Sequence, residues 1–238
     1  MKYGEIVQLG RHRLMCGDAT SFEDVEALIG EDRVNLVLTD PPYGINIVNS
    51  KTGRIGAHGR QYAPVIGDTN TDMFTEHYRI ICLLSNKLII WGGQNFTRIL
   101  PPSCGWLFWD KLKNTDKLSF GDGELAWTNC ATRIRKYSLM WNGNVGRNTD
   151  LNPYLHPTQK PVELHMKILE DFTQPGDVIL DCFGGSGTTL IAAEITGRTC
   201  LMMEISSDYC GVIKDRYEKL MPLFKEVRQQ RDGEQQAE

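Results

Sequence analysis

A glycine-rich turn between a predicted strand and a predicted helix is the feature that most limits the fold of this chain. Residues 177–182 are predicted to form a strand, with the apolar residues Val178, Ile179 and Leu180 at its centre. The sequence Phe183-Gly184-Gly185-Ser186-Gly187-Thr188-Thr189 follows, and a helical pattern then reaches residue 195. Glycines at such a turn let a ligand approach the backbone at the amino end of a helix. The pattern predicts an open α/β sheet with its ligand at the carboxyl ends of the strands.

The same turn indicates what kind of ligand to expect. It is not the Gly-x-Gly-x-x-Gly of dinucleotide enzymes, and it lacks the Lys of a phosphate-binding loop. A nucleoside ligand without phosphate explains why both phosphate-binding patterns are absent. The next predicted strand, residues 199–203, delivers Glu204 about 20 residues beyond the glycines, where an acid that binds a ribose is expected.

A second strand end carries a rigid corner. Residues 34–38 are an apolar run, and Asp40-Pro41-Pro42-Tyr43 follows. Each proline fixes its own φ and lacks an N–H, so the corner is stiff and has free carbonyl oxygens. A carboxylate and a carbonyl can accept two hydrogen bonds from one amino group, and Tyr43 offers a ring for a planar ligand to stack on. A turn that merely ends a strand is the alternative at this point.

Asp18 is placed similarly, after a predicted strand over residues 11–16. Thr20, with Glu23, is predicted to cap a helix that continues to residue 29. An acid at the carboxyl end of a strand suits a ribose hydroxyl or an adenine amino group. An ordinary turn aspartate remains the other interpretation.

Positive charge is concentrated in two segments that contain no Asp or Glu, residues 44–67 and 129–149. Basic groups interleaved with aromatic rings, as in the second segment, favour nucleic acid over a generic anion. A solvated surface loop or hairpin remains the alternative for each. The candidate DNA-binding residues are Lys51, Arg54, Arg60, Arg133, Arg135, Lys136 and Arg147.

Other elements are predicted from local patterns. Pro161 is expected to begin a helix that reaches about residue 172, and Lys160 just before it is placed to meet a carboxylate. Three aromatic-rich stretches, residues 105–111, 124–128 and 136–141, are predicted as short antiparallel strands because their connections are short. The charged, Gln-rich tail from residue 225 is predicted to be disordered.

Composition narrows the class of protein. The 238 residues, 41% of them hydrophobic, suit one α/β domain with a large core. A net charge of −4 means that contacts with nucleic acid have to come from local basic segments. The seven cysteines show no spacing typical of a zinc site, and no apolar run approaches a membrane span, so we expect no metal and a cytoplasmic protein.

Together the motifs resemble those of the β-class, amino-group-specific DNA methyltransferases that use S-adenosylmethionine. In that family an Asp-Pro-Pro-Tyr motif comes first, a target-recognition segment follows, and His-Pro-Thr-Gln-Lys-Pro precedes a Phe-x-Gly-x-Gly loop. The chain shows this order in residues 40–43, 156–161 and 181–189. The resemblance implies a Rossmann-like, seven-stranded, mostly parallel sheet with helices on both faces and a circularly permuted strand order. The strands before Asp40 and Asp181 would then lie side by side.

The resemblance also implies roles for the site residues. In catalysis, hydrogen bonds from an exocyclic amino group to Asp40 and the Pro41 carbonyl favour a localised lone pair, and transfer is a direct in-line displacement. Tyr43 stacks on a flipped-out base beside Pro42. The residues implied for S-adenosylmethionine are Lys160 near its carboxylate, Glu204 on its ribose, Asp18 on its adenine, and Asp181, Phe183, Gly184, Gly185, Gly187 and Thr188 around the methionine side.

The family further suggests a substrate and an organisation. Asp as the first motif residue favours adenine, while cytosine amino-methylation and a non-catalytic DNA-binding relative are the alternatives. An RNA or protein methyltransferase fits the motif order less well. We expect a single domain over residues 1–224 with a target-recognition segment at 112–153, then the tail 225–238. Double-stranded DNA is the expected partner. The sequence leaves open whether the protein forms a homodimer and whether a cognate restriction endonuclease exists. A prokaryote or phage is the expected source.

Overall fold

The computed structural model describes residues 1–44, 72–111, 121–140, 151, 155–156 and 158–235. Within these residues the strands form one nine-stranded sheet in the order β1-β2-β9-β8-β3-β4-β6-β5-β7. The predicted α/β class is confirmed, but the sheet is wider than the seven strands that the resemblance implied, because β1 and β7 extend its two edges. The strands are β1 Ile6–Leu9, β2 His12–Cys16, β3 Leu36–Thr39, β4 Leu88–Trp91, β5 Trp106–Asp110, β6 Gly123–Thr128, β7 Arg135–Ser138, β8 Val178–Asp181 and β9 Thr199–Glu204.

Strand direction defines one functional edge of the sheet. Strands β2, β9, β8, β3 and β4 are mutually parallel, so they all end at the same side, which we call the carboxyl edge. Strand β6 is antiparallel to both β4 and β5, and β5 therefore runs in the direction of β4. Strand β7 is parallel to β5, so the prediction of an antiparallel strand there is wrong. The reason is that β7 lies beside β5 instead of beside β6, its neighbour in sequence.

Helices cover both faces because side chains alternate across each strand. Leu36 and Leu38 of β3 pack in the core cluster that contains apolar residues of α3, α4 and α5. Val37 packs in the opposite cluster, with residues of α1 and α2. The helices are α1 Phe22–Ile29, α2 Asp72–Leu84, α3 Val162–Phe172, α4 Thr188–Thr196 and α5 Ser207–Gln235, with a short 3-10 helix at Gly93–Phe96.

Two local predictions differ from the structure. Ser21, not Thr20, caps α1, since its hydroxyl accepts a hydrogen bond from the Asp24 N–H at 3.2 Å. The Thr20 hydroxyl instead donates to Asp18 Oδ1 at 2.8 Å. Helix α5 continues to Gln235, where the sequence predicted a disordered tail from residue 225.

Among the described residues, no helix has both the length and the apolar content required to cross a bilayer.

Candidate active site

The strand before Asp40 and the strand before the glycine-rich turn are direct neighbours. Leu36 of β3 pairs with Ile179 of β8, and Val37 pairs with Leu180, in parallel register. Both strands end at the carboxyl edge, so Asp40 and the turn emerge side by side despite their separation along the chain. The predicted adjacency of the two motifs is confirmed.

Asp181 joins these two strand ends. Its Oδ1 accepts hydrogen bonds from the Thr39 hydroxyl at 3.0 Å and from the Phe183 N–H at 3.1 Å, and its Oδ2 accepts one from the Thr189 hydroxyl at 2.6 Å. Burial raises the pKa of Asp181 to about 7, against the effect of these donors. The described contacts of Asp181 are thus internal, and its predicted contact with a cofactor stays a prediction.

Both carboxylate oxygens of Asp40 are engaged. The Tyr43 hydroxyl donates to Oδ1 at 2.5 Å, and the Lys160 ammonium donates to Oδ2. The Tyr43 ring lies against Gly92, where an added Cβ would stand 2.1 Å from the ring atom Cε1. Gly92 also has a φ of +67°, a conformation that favours glycine. Gly92 therefore holds space for the tyrosine that orients the Asp40 carboxylate.

Lys160 contacts both strand ends, since its ammonium donates to Asp40 and its carbonyl accepts from the Thr188 hydroxyl of the glycine-rich turn at 3.2 Å, and its predicted contact with a cofactor carboxylate stays a prediction. Its side chain is 3% exposed, and its Nζ is 3.3 Å from Glu124 Oε2 and 5.0 Å from the centroid of the Trp91 ring. Burial alone lowers the pKa of Lys160, but the Asp40 and Glu124 carboxylates outweigh that effect and raise it above its ordinary value. Lys160 is therefore a charged lysine shared between two carboxylates.

Glu124 is a member of this site that the sequence analysis missed. It lies near the start of β6, and its Oε1 accepts a hydrogen bond from Lys111 Nζ at 2.6 Å. Burial tends to raise the pKa of Glu124, but Lys160 and Lys111 lower it overall, so the carboxylate is ionised at neutral pH. A single charged residue in a predicted strand carries no local signal for such a role.

A hydrogen bond to Glu204 and close packing against Met202 hold the glycine-rich turn in place. The Gly185 N–H donates to Glu204 Oε2 at 2.8 Å, and the Ser206 N–H donates to Oε1 at 2.9 Å. Gly187, at a φ of +81°, immediately precedes α4. An added Cβ on Gly184 would stand 2.9 Å from Met202. Burial raises the pKa of Glu204, while these backbone N–H groups stabilise its ionised form.

Two further residues contact the turn, and neither was among the predicted site residues. The ring of His156 packs edge-on against Tyr209 with centroids 4.7 Å apart, and it lies 3.7 Å from the place where a Cβ on Gly185 would stand. Burial, together with the charge of Lys160, lowers the pKa of His156 to about 4. Arg216 of α5 is buried and donates from Nη1 to the Ser186 carbonyl at 2.7 Å. Both residues contact the turn, although they lie in other segments of the chain.

Asp18 and Glu204 lie at the same part of the carboxyl edge. Cys16 of β2 pairs with Glu204 of β9, and the Gly17 N–H donates to the Glu204 carbonyl at 3.2 Å. Asp18 Oδ1 accepts from Thr20, whereas Oδ2 has no hydrogen-bond partner within the described part of the chain. The two acids predicted for the adenosine portion of a cofactor are therefore close in the fold, and one of them keeps an oxygen available for a ligand.

The candidate DNA-binding residues are not all at this edge. Residues 129–134 connect the end of β6 to the start of β7, so Arg133 and Arg135 lie toward the edge opposite Asp40. Arg135 also pairs with Asp171 near the end of α3, at 3.2 Å. Lys136 Nζ lies 2.7 Å from Asp110 Oδ2. Lys51, Arg54, Arg60 and Arg147 lie outside the described residues.

Known proteins resemble parts of this chain in sequence and most of it in fold. A family model described as a DNA methylase, of the N6/N4 methyltransferase type, matches residues 104–215. A Type II methyltransferase of Moraxella bovis, M2.MboI, is 41% identical over 70 residues, which are 29% of this chain and 26% of that protein. The match thus spans about a quarter of that relative.

Solved structures match the fold across the chain. The complex of M1.HpyAVI with SAM has a TM-score of 0.54 at 20% identity and covers 85% of this chain and 98% of that chain. The cytosine-N4-specific PvuII DNA methyltransferase has a TM-score of 0.61 at 16% identity and covers 95% of this chain and 96% of that chain. At these identities the likeness establishes the Rossmann-like fold.

Proposed function

Because this chain is related to the amino-group DNA methyltransferases, we propose that it transfers a methyl group from S-adenosylmethionine to the exocyclic amino group of adenine in DNA. The observation that carries the proposal is the position of the Asp40 carboxylate beside the glycine-rich turn, on adjacent parallel strands. That edge of an open α/β sheet is where ligands bind. An acceptor group and a nucleoside cradle therefore share one site.

Asp40 and the carbonyl of Pro41 act on the acceptor. The amino nitrogen of a base is a poor nucleophile because its lone pair is delocalised into the ring. Hydrogen bonds from this amino group to the Asp40 carboxylate and the Pro41 carbonyl favour a localised lone pair that points at the methyl group. Tyr43 holds the carboxylate through Oδ1 and thereby fixes its orientation.

The residues at the other half of the site fit a nucleoside cofactor. Asp18 Oδ2 would accept a hydrogen bond from the adenine amino group, and Glu204 retains lone pairs for ribose hydroxyls in addition to its two backbone donors. In the turn over Phe183, Gly184, Gly185, Gly187 and Thr188, Gly184 and Gly187 make room for Met202 and Ile213, whereas an added Cβ on Gly185 would have its nearest neighbour at 3.7 Å, so the backbone there is open to a ligand. S-adenosylmethionine would supply an activated methyl group on a sulfonium and leave as the thioether S-adenosylhomocysteine, while the methylated amino nitrogen would lose one proton to the Asp40 carboxylate. Lys160, which pairs with Asp40, is better assigned to the acceptor half.

DNA contact requires the target base to leave the duplex. Flipping costs a few kcal/mol, which stacking on Tyr43 would offset in part. Basic groups in the two segments that contain no Asp or Glu would neutralise phosphates. We retain Lys51, Arg54, Arg60, Lys136 and Arg147 as candidates, and we exclude Arg133 and Arg135 because they lie toward the opposite edge.

Adenine is the proposed base, with cytosine as the second candidate. Asp40 as the first motif residue favours adenine, whereas the structural similarity to the cytosine-N4-specific PvuII enzyme favours the alternative. The experiment is to express the chain in a host free of methylated bases, digest its DNA to nucleosides and analyse them by mass spectrometry. N6-methyladenine is expected. N4-methylcytosine as the sole product would overturn the choice of base, and unmodified DNA would overturn the function.

The relationship to the DNA methyltransferases also supports a proposal for the biological setting of this chain. The relative M2.MboI is a Type II methyltransferase, which is consistent with a restriction-modification role and a cognate endonuclease for this chain. A cytoplasmic location in a prokaryote or phage-infected cell and a possible homodimer belong to the same proposal. Sedimentation of the purified protein, alone and with duplex DNA, measures its oligomeric state.

A further inference from the structure

We propose that Glu124 is a positioning residue, which receives the Lys160 ammonium when the target base enters and so frees Asp40 Oδ2 for the amino group of the base. The inference rests on the proposed function and adds a residue to its acceptor half. Glu124 touches neither reacting group in this arrangement. It acts through Lys160.

The need for such a partner follows from the charge-assisted bond between Lys160 and Asp40, which weakens the remaining lone pairs of that carboxylate as acceptors. Its Oδ1 accepts from Tyr43 and its Oδ2 accepts from Lys160. An ammonium ion is a stronger hydrogen-bond donor than the amino group of a base, because its bond to a carboxylate is charge-assisted. While Lys160 remains on Oδ2, Asp40 is a weak acceptor for the target.

Lys160 cannot simply withdraw from Asp40. Its side chain is 3% exposed, and a buried ammonium without a carboxylate partner is strongly unfavourable. Glu124 Oε2 lies 3.3 Å from Nζ, and the Trp91 ring lies 5.0 Å away on another side. A small shift of Nζ toward Glu124 therefore keeps the charge paired while it leaves Asp40.

Two lysines hold the Glu124 carboxylate in this position. Its two oxygens contact different lysines, with Oε1 2.6 Å from Lys111 Nζ and Oε2 facing Lys160. Strand β6 pairs with β5 at this point, where Glu124 is opposite Trp109. Lys111 thus anchors the carboxylate through Oε1, while Oε2 already contacts the Lys160 ammonium and can keep it paired when it leaves Asp40.

The test compares Glu124→Gln with a matched control, Glu218→Gln. The control makes the same chemical change in an exposed pair with Lys214 on α5. Single-turnover rates with tritiated S-adenosylmethionine and duplex DNA give the chemical step, and equilibrium dialysis gives cofactor affinity. Glu124→Gln should lower the rate about 10- to 100-fold, as misplaced acceptor geometry does, with cofactor affinity unchanged. Glu218→Gln should match the wild type.

Two more variants separate positioning from a structural role. Lys111→Met breaks the outer ion pair of Glu124 but leaves Lys160 its second carboxylate, so its rate should fall much less than that of Glu124→Gln. Glu124→Asp keeps the charge and should recover part of the rate, and it serves as the test variant if Glu124→Gln does not fold.

Each outcome is decisive. Equal losses of transfer rate in Lys111→Met and Glu124→Gln would show that the ion pair between Lys111 and Glu124 matters only for structure. A wild-type rate in folded Glu124→Gln, or in folded Glu124→Asp where that serves as the test variant, would overturn the positioning role while the proposed function stands. A wild-type protein that transfers no label would overturn the proposed function, and the role of Glu124 with it.

Discussion

The Thr39 hydroxyl donates a hydrogen bond to Asp181 Oδ1 at 3.0 Å. Thr39 is the last residue of β3 and precedes Asp40, while Asp181 is the last residue of β8 and precedes the glycine-rich turn. One hydrogen bond thus connects the strand of the proposed acceptor group to the strand of the proposed cofactor cradle. It fixes the relative position of the two halves of the site.

Replacement of Thr39 by Val should impair this connection. Valine keeps the shape but loses the donor, so Asp181 lacks one partner at a cost of about 1 to 3 kcal/mol. Urea unfolding should show this loss, and methyl transfer should slow. The matched control is Thr128→Val, which removes a buried hydrogen bond to the Leu88 carbonyl near the opposite edge. If both variants lose stability and neither loses activity, the connection does not affect catalysis.

Asp181 should make stability depend on pH. Burial raises its folded-state pKa to about 7, from an ordinary value of 3.8. Between these values the folded state binds more protons than the unfolded state, so this residue lowers stability as pH rises from about 4 to about 7, by at most about 1.4 kcal/mol per pH unit. Urea unfolding of the wild type and Asp181→Asn across this range measures the effect. The stability of the wild type relative to the variant should fall with pH, and a constant or rising difference would contradict the raised pKa.

Replacement of Asp40 by Ala should separate binding from transfer. Glu124 still pairs with Lys160 in this variant, so the buried ammonium keeps a carboxylate and the protein should fold. We expect cofactor binding close to that of the wild type and no detectable methyl transfer. Equilibrium dialysis and tritium incorporation measure the two properties. Retained turnover would remove Asp40 from the mechanism, whereas a wild type that binds DNA and cofactor without turnover would favour the non-catalytic alternative.

Replacement of Gly92 by Ala should displace Tyr43. The new Cβ would stand 2.1 Å from the tyrosine ring, and the backbone φ of +67° adds strain of about 1 to 2 kcal/mol. Gly176→Ala is the control, since Gly176 has a φ of +91° and nothing within 4 Å of an added Cβ. Both variants should lose stability in thermal unfolding, but only Gly92→Ala should lose methyl transfer. Equal activity in the two variants would show that the Tyr43 position is not required.

The local predictions succeeded where the sequence carries its own geometric signal. Apolar runs predicted β3, β8 and β9. Asp40, which follows β3, and Glu204, the last residue of β9, lie at the carboxyl edge as expected. The boundary of α1 moved from Thr20 to Ser21 because two neighbouring hydroxyl residues are both good caps. The adjacency of β3 and β8 followed from the motif order of the family, and no local pattern predicts it.

The sequence by itself determined most of the elements, the glycine-rich turn, the rigid corner at Asp40 and the resemblance to a family, because period, turn chemistry and motif order are properties of short segments. Only the tertiary structure decided that Lys160 pairs with Asp40, that Glu124 shares that lysine, and that Arg133 and Arg135 lie toward the opposite edge. These relationships join residues from distant segments. They depend on strand order and direction, which side-chain patterns within one element do not encode.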